Sequence, residues 1–325
     1  VDEYNLALGM RPKKFPGVQG PVPGISNGKK SIAVAGADFL IEFSRETGLI
    51  TRGNFRGVNL IEGGPYLHLT AERAPEDMGW KSSGPEGWAV IDRSKWSLTG
   101  LNSRTDSLEA VIEISGRYGD TEVSFEVRID GAGLMTTSYT IDRPPCWTPS
   151  GGFSEVGVSC LLSGKVGRLS WDRDALWSAY PEDHIGRGKG VAPRQRKTGK
   201  EAYGVPPAWP WSEDMKDFYL SGRDDTGQGG TKDFRSLKEY IRYASAVMAG
   251  TELRVRAESA GKDAVRLEVE APNSGGRVKL IIDNQWNYPG LLWGNYMKSP
   301  IIISPGHKGR VRIRLTDNDH YSTAD

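Results

Sequence analysis

Apolar positions in this chain come in short, strand-sized runs separated by glycine, proline and polar clusters. Ser31-Ile-Ala-Val-Ala-Gly-Ala-Asp-Phe-Leu-Ile-Glu-Phe43 alternates in part between apolar and polar residues, the pattern of a half-buried antiparallel strand. Glu46-Thr-Gly48 makes a turn, and Leu49 begins the next strand. Similar runs predict strands over residues 108–117, 122–129, 134–142, 155–162 and 168–171. They resume over 233–246, 252–257, 264–270, 277–283, 299–303 and 310–316. Two long stretches, 72–96 and 172–232, break the pattern, and irregular segments of that length usually serve a function or pack over a neighbour. Residues 238–247 offer a weak helical face, but Tyr240, Ile241, Tyr243 and Val247 favour a strand. So many short strands with Gly/Pro turns predict an all-β fold, a large antiparallel β-sandwich. No repeat at a fixed period points to a propeller.

The first thirty residues differ. Pro12, Pro16, Pro21 and Pro23 stand among glycines and lysines, which predicts an extended linker over 1–30 ahead of one β domain over 31–325. The opening at Val1, with neither a methionine nor a targeting segment, predicts a processed protein or an excised piece.

Composition adds four points. The 325 residues carry a net charge of +1, which gives no electrostatic case for nucleic acid or membrane as a partner. No apolar run is long enough to span a bilayer as a helix. The 10 tryptophans suit sugar binding, because indole faces stack on the C–H faces of pyranose rings, although core and turn positions also take them. The two cysteines, Cys146 and Cys160, are spaced so that either a disulfide or two free thiols is compatible with the pattern.

Four segments resemble the C-terminal domain of family 2 glycoside hydrolases, the β-galactosidase class. The first is Ala37-Asp-Phe-Leu-Ile-Glu-Phe-Ser-Arg-Glu-Thr-Gly-Leu-Ile50, continuing into Gly57-Val-Asn-Leu-Ile61 and Gly64-Pro65. The second is Leu169-Ser-Trp-Asp-Arg-Asp-Ala-Leu-Trp-Ser-Ala-Tyr-Pro-Glu-Asp-His-Ile-Gly-Arg187, a strand followed by a Tyr-Pro-acidic loop. The third is Gly230-Thr-Lys-Asp-Phe-Arg-Ser236, and the last is Leu292-Trp-Gly294 with Ser304-Pro-Gly306 and the strand at 310–315. The His184-Ile-Gly186 extension and the basic loop 187–200 depart from the commonest β-galactosidase form. The resemblance implies a supersandwich of the kind shared with galactose mutarotases. It also implies a catalytic barrel elsewhere in a parent chain as partner, a carbohydrate ligand, and a periplasmic or secreted setting.

Glycoside hydrolysis needs two carboxyl groups flanking the scissile bond. In the family these are glutamates on a β/α barrel, and no alternating strand–helix run exists here to build one. The sequence therefore predicts no catalytic pair of its own. Glu182-Asp183-His184 is the most tempting cluster, but a Tyr-Pro turn also uses such residues to cap amides or to pair with Arg187. The four histidines, His68, His184, His307 and His320, follow no metal-ligand spacing, so no metal or cofactor is expected. Structural calcium stays open at Asp224-Asp225 and Asp317-Asn318-Asp319, where loop solvation is the competing reading.

The stretch Asn284-Gln-Trp-Asn-Tyr-Pro-Gly-Leu-Leu-Trp-Gly-Asn-Tyr296 sets aromatic rings among amides, a combination that serves both the apolar face and the hydroxyls of a sugar. Trp293, Trp286, Asn295 and Tyr296 are the candidate carbohydrate-binding residues. By resemblance, Trp293 is the tryptophan that β-galactosidases lend from this domain to the barrel's sugar site. Packing under the loop is the competing reading. Ala208-Trp-Pro-Trp211 is a second aromatic group, and the basic run Arg187 to Lys200 reads as a solvated loop. Three functions compete: a non-catalytic domain of a glycoside hydrolase, a stand-alone carbohydrate-binding module, and an aldose-epimerase-like enzyme. The last would need a histidine acid and a carboxylate base, with His184 and either Glu182 or Glu155 as candidates.

Overall fold

A computed structural model describes residues 20–72, 88–146, 152–153, 155–174, 188–193, 238–248, 251–256, 263–269, 276–286 and 301–317. The described chain is built of eighteen strands. In order they are β1 (Gly24–Asn27), β2 (Ser31–Ala35), β3 (Phe39–Ser44), β4 (Ile50–Phe55), β5 (Val58–Glu72) and β6 (Trp88–Val90). Then come β7 (Trp96–Asp106), β8 (Glu109–Tyr118), β9 (Thr121–Asp130), β10 (Leu134–Arg143), β11 (Glu155–Leu162) and β12 (Arg168–Arg173). The last are β13 (Lys189–Pro193), β14 (Ile241–Met248), β15 (Thr251–Arg256), β16 (Ala264–Val269), β17 (Val278–Trp286) and β18 (His307–Asp317). Among the described residues the one helical element is a 3₁₀ turn at Arg93–Lys95, and no helix is long and apolar enough to cross a membrane.

The strands form two antiparallel sheets of nine. The first runs β1-β2-β3-β4-β5-β11-β17-β16, with β6 pairing to the far end of β5. The second runs β13-β12-β14-β15-β18-β10-β9-β8-β7. One apolar core holds residues of both sheets, from Phe39, Ile41 and Phe43 of β3 to Val123, Phe125 and Val127 of β9. The alternation that betrayed these strands in the sequence is what fills the core: β9 and β10 bury every second residue. A buried Val, Ile, Leu or Phe side chain contributes about 1.5–3 kcal/mol, so these rows account for the sheet-on-sheet packing. Polar contacts also tie the layers together. The Leu67 amide of β5 donates to Tyr118 Oη of β8 at 3.1 Å, and Trp96 Nε1 donates to the Thr47 carbonyl at 2.8 Å.

The all-β antiparallel expectation therefore holds, with differences in detail. Gly24–Asn27 lies within the stretch expected to be linker, yet it forms an edge strand registered against Ile32–Ala35. The run 31–43 is two strands, because Gly36 and Asp38 make a turn closed by the Gly36 amide on the Phe39 carbonyl. β7 was not expected at all. It is an edge strand that buries no residue fully, so it lacks the apolar alternation that marks a half-buried strand. At 299–303 the described residues hold a single bridge, Ile301 to Phe153, in place of a strand.

Candidate functional site

Four neighbouring strands of the first sheet, β5, β11, β17 and β16, place their odd-one-out residues on one face. Leu67 and Leu69, Val156 and Val158, Leu280 and Ile282, and Val265 and Leu267 all enter the core. The period of two then turns His68 and Thr70, Glu155, Asp283 and Lys279, and Arg266 and Glu268 to the opposite face. Most of this face is nonetheless buried: His68, Glu155 and Asp283 have side chains 4%, 2% and 0% exposed.

Glu155 is the hub. Its Oε2 lies 2.9 Å from His68 Nε2 and accepts from Thr70 Oγ1 at 3.0 Å. Arg266 donates from Nη1 to Oε1 at 2.9 Å and from Nη2 to Oε2 at 3.0 Å, a two-point ion pair. Arg266 also meets Glu268 at 3.1 Å, and Lys279 meets Glu268 at 2.5 Å. Asp283 is set apart. Its Oδ1 is 3.9 Å from His68 Nε2, and among the described residues neither of its oxygens has a hydrogen-bond partner.

Burial and charge dictate how these groups titrate. Burial favours the neutral imidazole and lowers the His68 pKa, although Glu155 pulls the other way. Burial would raise Glu155, but the Arg266 charge and the contact with His68 outweigh it and hold the carboxyl below its ordinary value. Asp283 has no such compensation: burial, reinforced by the Glu155 charge, pushes its carboxyl well above the usual range.

Gly157 makes the arrangement fit. It pairs with His68 on one side and Asp283 on the other, so a side chain there would stand between them. A β-bulge beside it draws the backbones together, and a Cβ at this position would come within 2.0 Å of the Ile282 carbonyl oxygen.

A second feature lies apart from this cluster. An open groove of about 820 Å³ crosses β8, β9, β10 and β18, with Glu113, Ser124, Phe125, Tyr139, Lys308 and Arg310 among its lining.

Of the residues singled out in the sequence, Trp286 ends β17 opposite Glu155, is 8% exposed, and stands edge-on to Tyr240 at 5.0 Å between ring centroids. Trp293, Asn295 and Tyr296 lie outside the described residues, as do His184, Glu182, Asp183, Trp209, Trp211, Asp224 and Asp225. The histidine that meets Glu155 is thus His68, a pairing that the separation of 87 positions hides. Arg266 and Asp283 were equally unexpected as site residues. The signal available was a single charge inside an apolar run, as in Val265-Arg266-Leu267 and Ile281-Ile282-Asp283. Cys146 and Cys160 are free thiols, the first exposed and the second buried.

No family model and no curated protein matches the sequence. Among solved structures, the chain is similar to a galactose mutarotase-like protein from Clostridium acetobutylicum, at 12% identity and a TM-score of 0.42, covering 91% of this chain and 98% of that one. It is similar to galactose 1-epimerase from Lactobacillus acidophilus at 9% identity and a TM-score of 0.40, covering 91% and 98%. It is also similar to the α-N-acetylgalactosaminidase NagBb from Bifidobacterium bifidum at 12% identity and a TM-score of 0.42, covering 88% of this chain and 35% of that one.

Proposed function

We propose that this chain is the non-catalytic C-terminal β-sandwich domain of a β-galactosidase-like glycoside hydrolase. It packs against the catalytic barrel of the same parent chain and lends that barrel's sugar site an aromatic loop. The setting is periplasmic or secreted. The observation that carries the reading is how the segment 287–300, which holds Trp293, Asn295 and Tyr296, is rooted. It leaves β17 at Trp286, which pairs with Glu155, and returns at Ile301, whose carbonyl accepts from the Phe153 amide at 2.9 Å. Both roots are therefore fixed to the same short stretch, Phe153–Glu155, at the start of a central strand. Such a base suits a loop that must present an aromatic ring at a set position.

The fate of the His68–Glu155 pair supports the same reading. An epimerase base must be free to take a proton from a sugar hydroxyl. Glu155 is buried, held by Arg266, Thr70 and His68, and kept ionised by that company. It is built as a tie between strands.

A tryptophan-fluorescence titration of the isolated chain with galactose and oligosaccharides, run beside Trp293→Ala, tests the proposal. It predicts no saturable response in either protein, because the loop acts only beside the barrel. Saturable binding lost in Trp293→Ala would instead make the chain a stand-alone carbohydrate-binding module.

A further inference from the structure

We propose that His68, Glu155 and Asp283 form a site for one divalent transition-metal ion that staples β5, β11 and β17. The ligand atoms of the three residues all lie within 4.8 Å of one another. An imidazole nitrogen and two carboxylate oxygens lie within the ligand types that zinc takes, and three protein ligands leave its fourth position open.

Asp283 points to the ion. Its side chain is 0% exposed and neither oxygen has a hydrogen-bond partner among the described residues. An ionised carboxylate left so costs several kcal/mol. A proton removes the charge but leaves both oxygens unpartnered, because the His68 ring nitrogen at 3.9 Å is beyond hydrogen-bond reach. A metal ion bridges that gap. Zinc sits about 2.0–2.2 Å from nitrogen and oxygen ligands in a tetrahedral arrangement, so its ligands stand about 3.3–3.6 Å apart. The 3.9 Å between His68 and Asp283 lies just above that spacing and the 2.9 Å between His68 and Glu155 just below it, so a bound ion would draw the first pair together and part the second.

The surroundings agree. Glu155 Oε2 has three neighbours within hydrogen-bond distance, His68, Thr70 and Arg266, more than its two lone pairs serve well. The His68 contact is the one an ion can replace. Arg266 and Thr70 then orient the carboxylate from outside, the role that outer-sphere partners play around metal ligands.

The test uses the tag-free chain, stripped with a chelator and then given zinc alone. Elemental analysis and calorimetric titration are expected to find one tight equivalent and a Tm raised by several degrees. Asp283→Asn and His68→Gln are each expected to weaken that site by more than about a hundredfold, because each alters a direct ligand and even an outer-sphere partner is worth about ten- to a hundredfold. Folded wild-type chain that retains no zinc overturns the proposal, as does undiminished uptake by folded Asp283→Asn. If a variant fails to fold, cobalt(II) in the wild-type chain decides. A visible absorption band of nitrogen and oxygen ligation sustains the site, and a spectrum identical to aqueous cobalt overturns it.

Discussion

Arg266 reaches past β17 to hold both oxygens of Glu155, at 2.9 and 3.0 Å, although the two residues are 111 positions apart in the chain. The pair is nearly closed to solvent, with the two side chains 6% and 2% exposed. A buried pair of this geometry returns little net stability over apolar residues of similar volume, yet losing one member strands a charge. Arg266→Met alone is therefore expected to cost about 3–5 kcal/mol, measured by denaturant unfolding in metal-free buffer. The double variant Glu155→Leu, Arg266→Met is expected to cost clearly less than the sum of the single ones. Additive losses would show that the two side chains act independently.

Glu268 sets an acid limit. Burial would raise its pKa, but Lys279 and Arg266 outweigh burial and hold it at about 2, against an ordinary value of 4.5. The unfolded chain therefore binds the proton first as pH falls, so this contribution is complete above about pH 4.5 and is lost as pH falls toward 2. The loss is on the order of 3 kcal/mol. Unfolding free energies measured from pH 6 down to pH 3 should fall more steeply for the wild type than for Glu268→Gln. Parallel curves would remove Glu268 from the acid response.

The thiols should differ in reactivity. Cys160 sits in β11, 3% exposed, and burial pushes its pKa up to about 12, so a disulfide-exchange reagent should reach it only after unfolding. Cys146 is exposed, and the neighbouring Asp120 carboxylate raises its pKa through a side-chain hydrogen bond and its charge. One thiol should therefore react in the native chain, and Asp120→Asn should speed it at pH 8. Two native thiols reacting at equal rates would contradict the placement of Cys160.

Much of this fold was legible along the chain, for reasons that also mark the limits. Ile112 and Ile114 alternate with Glu113 and Ser115, and Gly119 turns the chain at a φ of 64°, so the β8–β9 hairpin stands out. β7 did not, because an edge strand buries too little to leave a period. The polar cluster was hidden for a different reason. His68, Glu155, Arg266 and Asp283 meet only through the order β5-β11-β17-β16, and no local pattern specifies which distant strands become neighbours. Glu155 had been set beside His184 as a candidate pair, whereas its hydrogen-bonded histidine is His68.

The central claim is that this domain contributes structure and a loop, with the catalytic chemistry residing elsewhere in the parent enzyme. The most direct measurement is anomer exchange of galactose by the isolated chain, followed by polarimetry. The account predicts the rate of buffer alone, unchanged in Glu155→Gln and His68→Gln. Exchange well above that background, and abolished by either substitution, would contradict it and make the His68–Glu155 pair an acid–base machine.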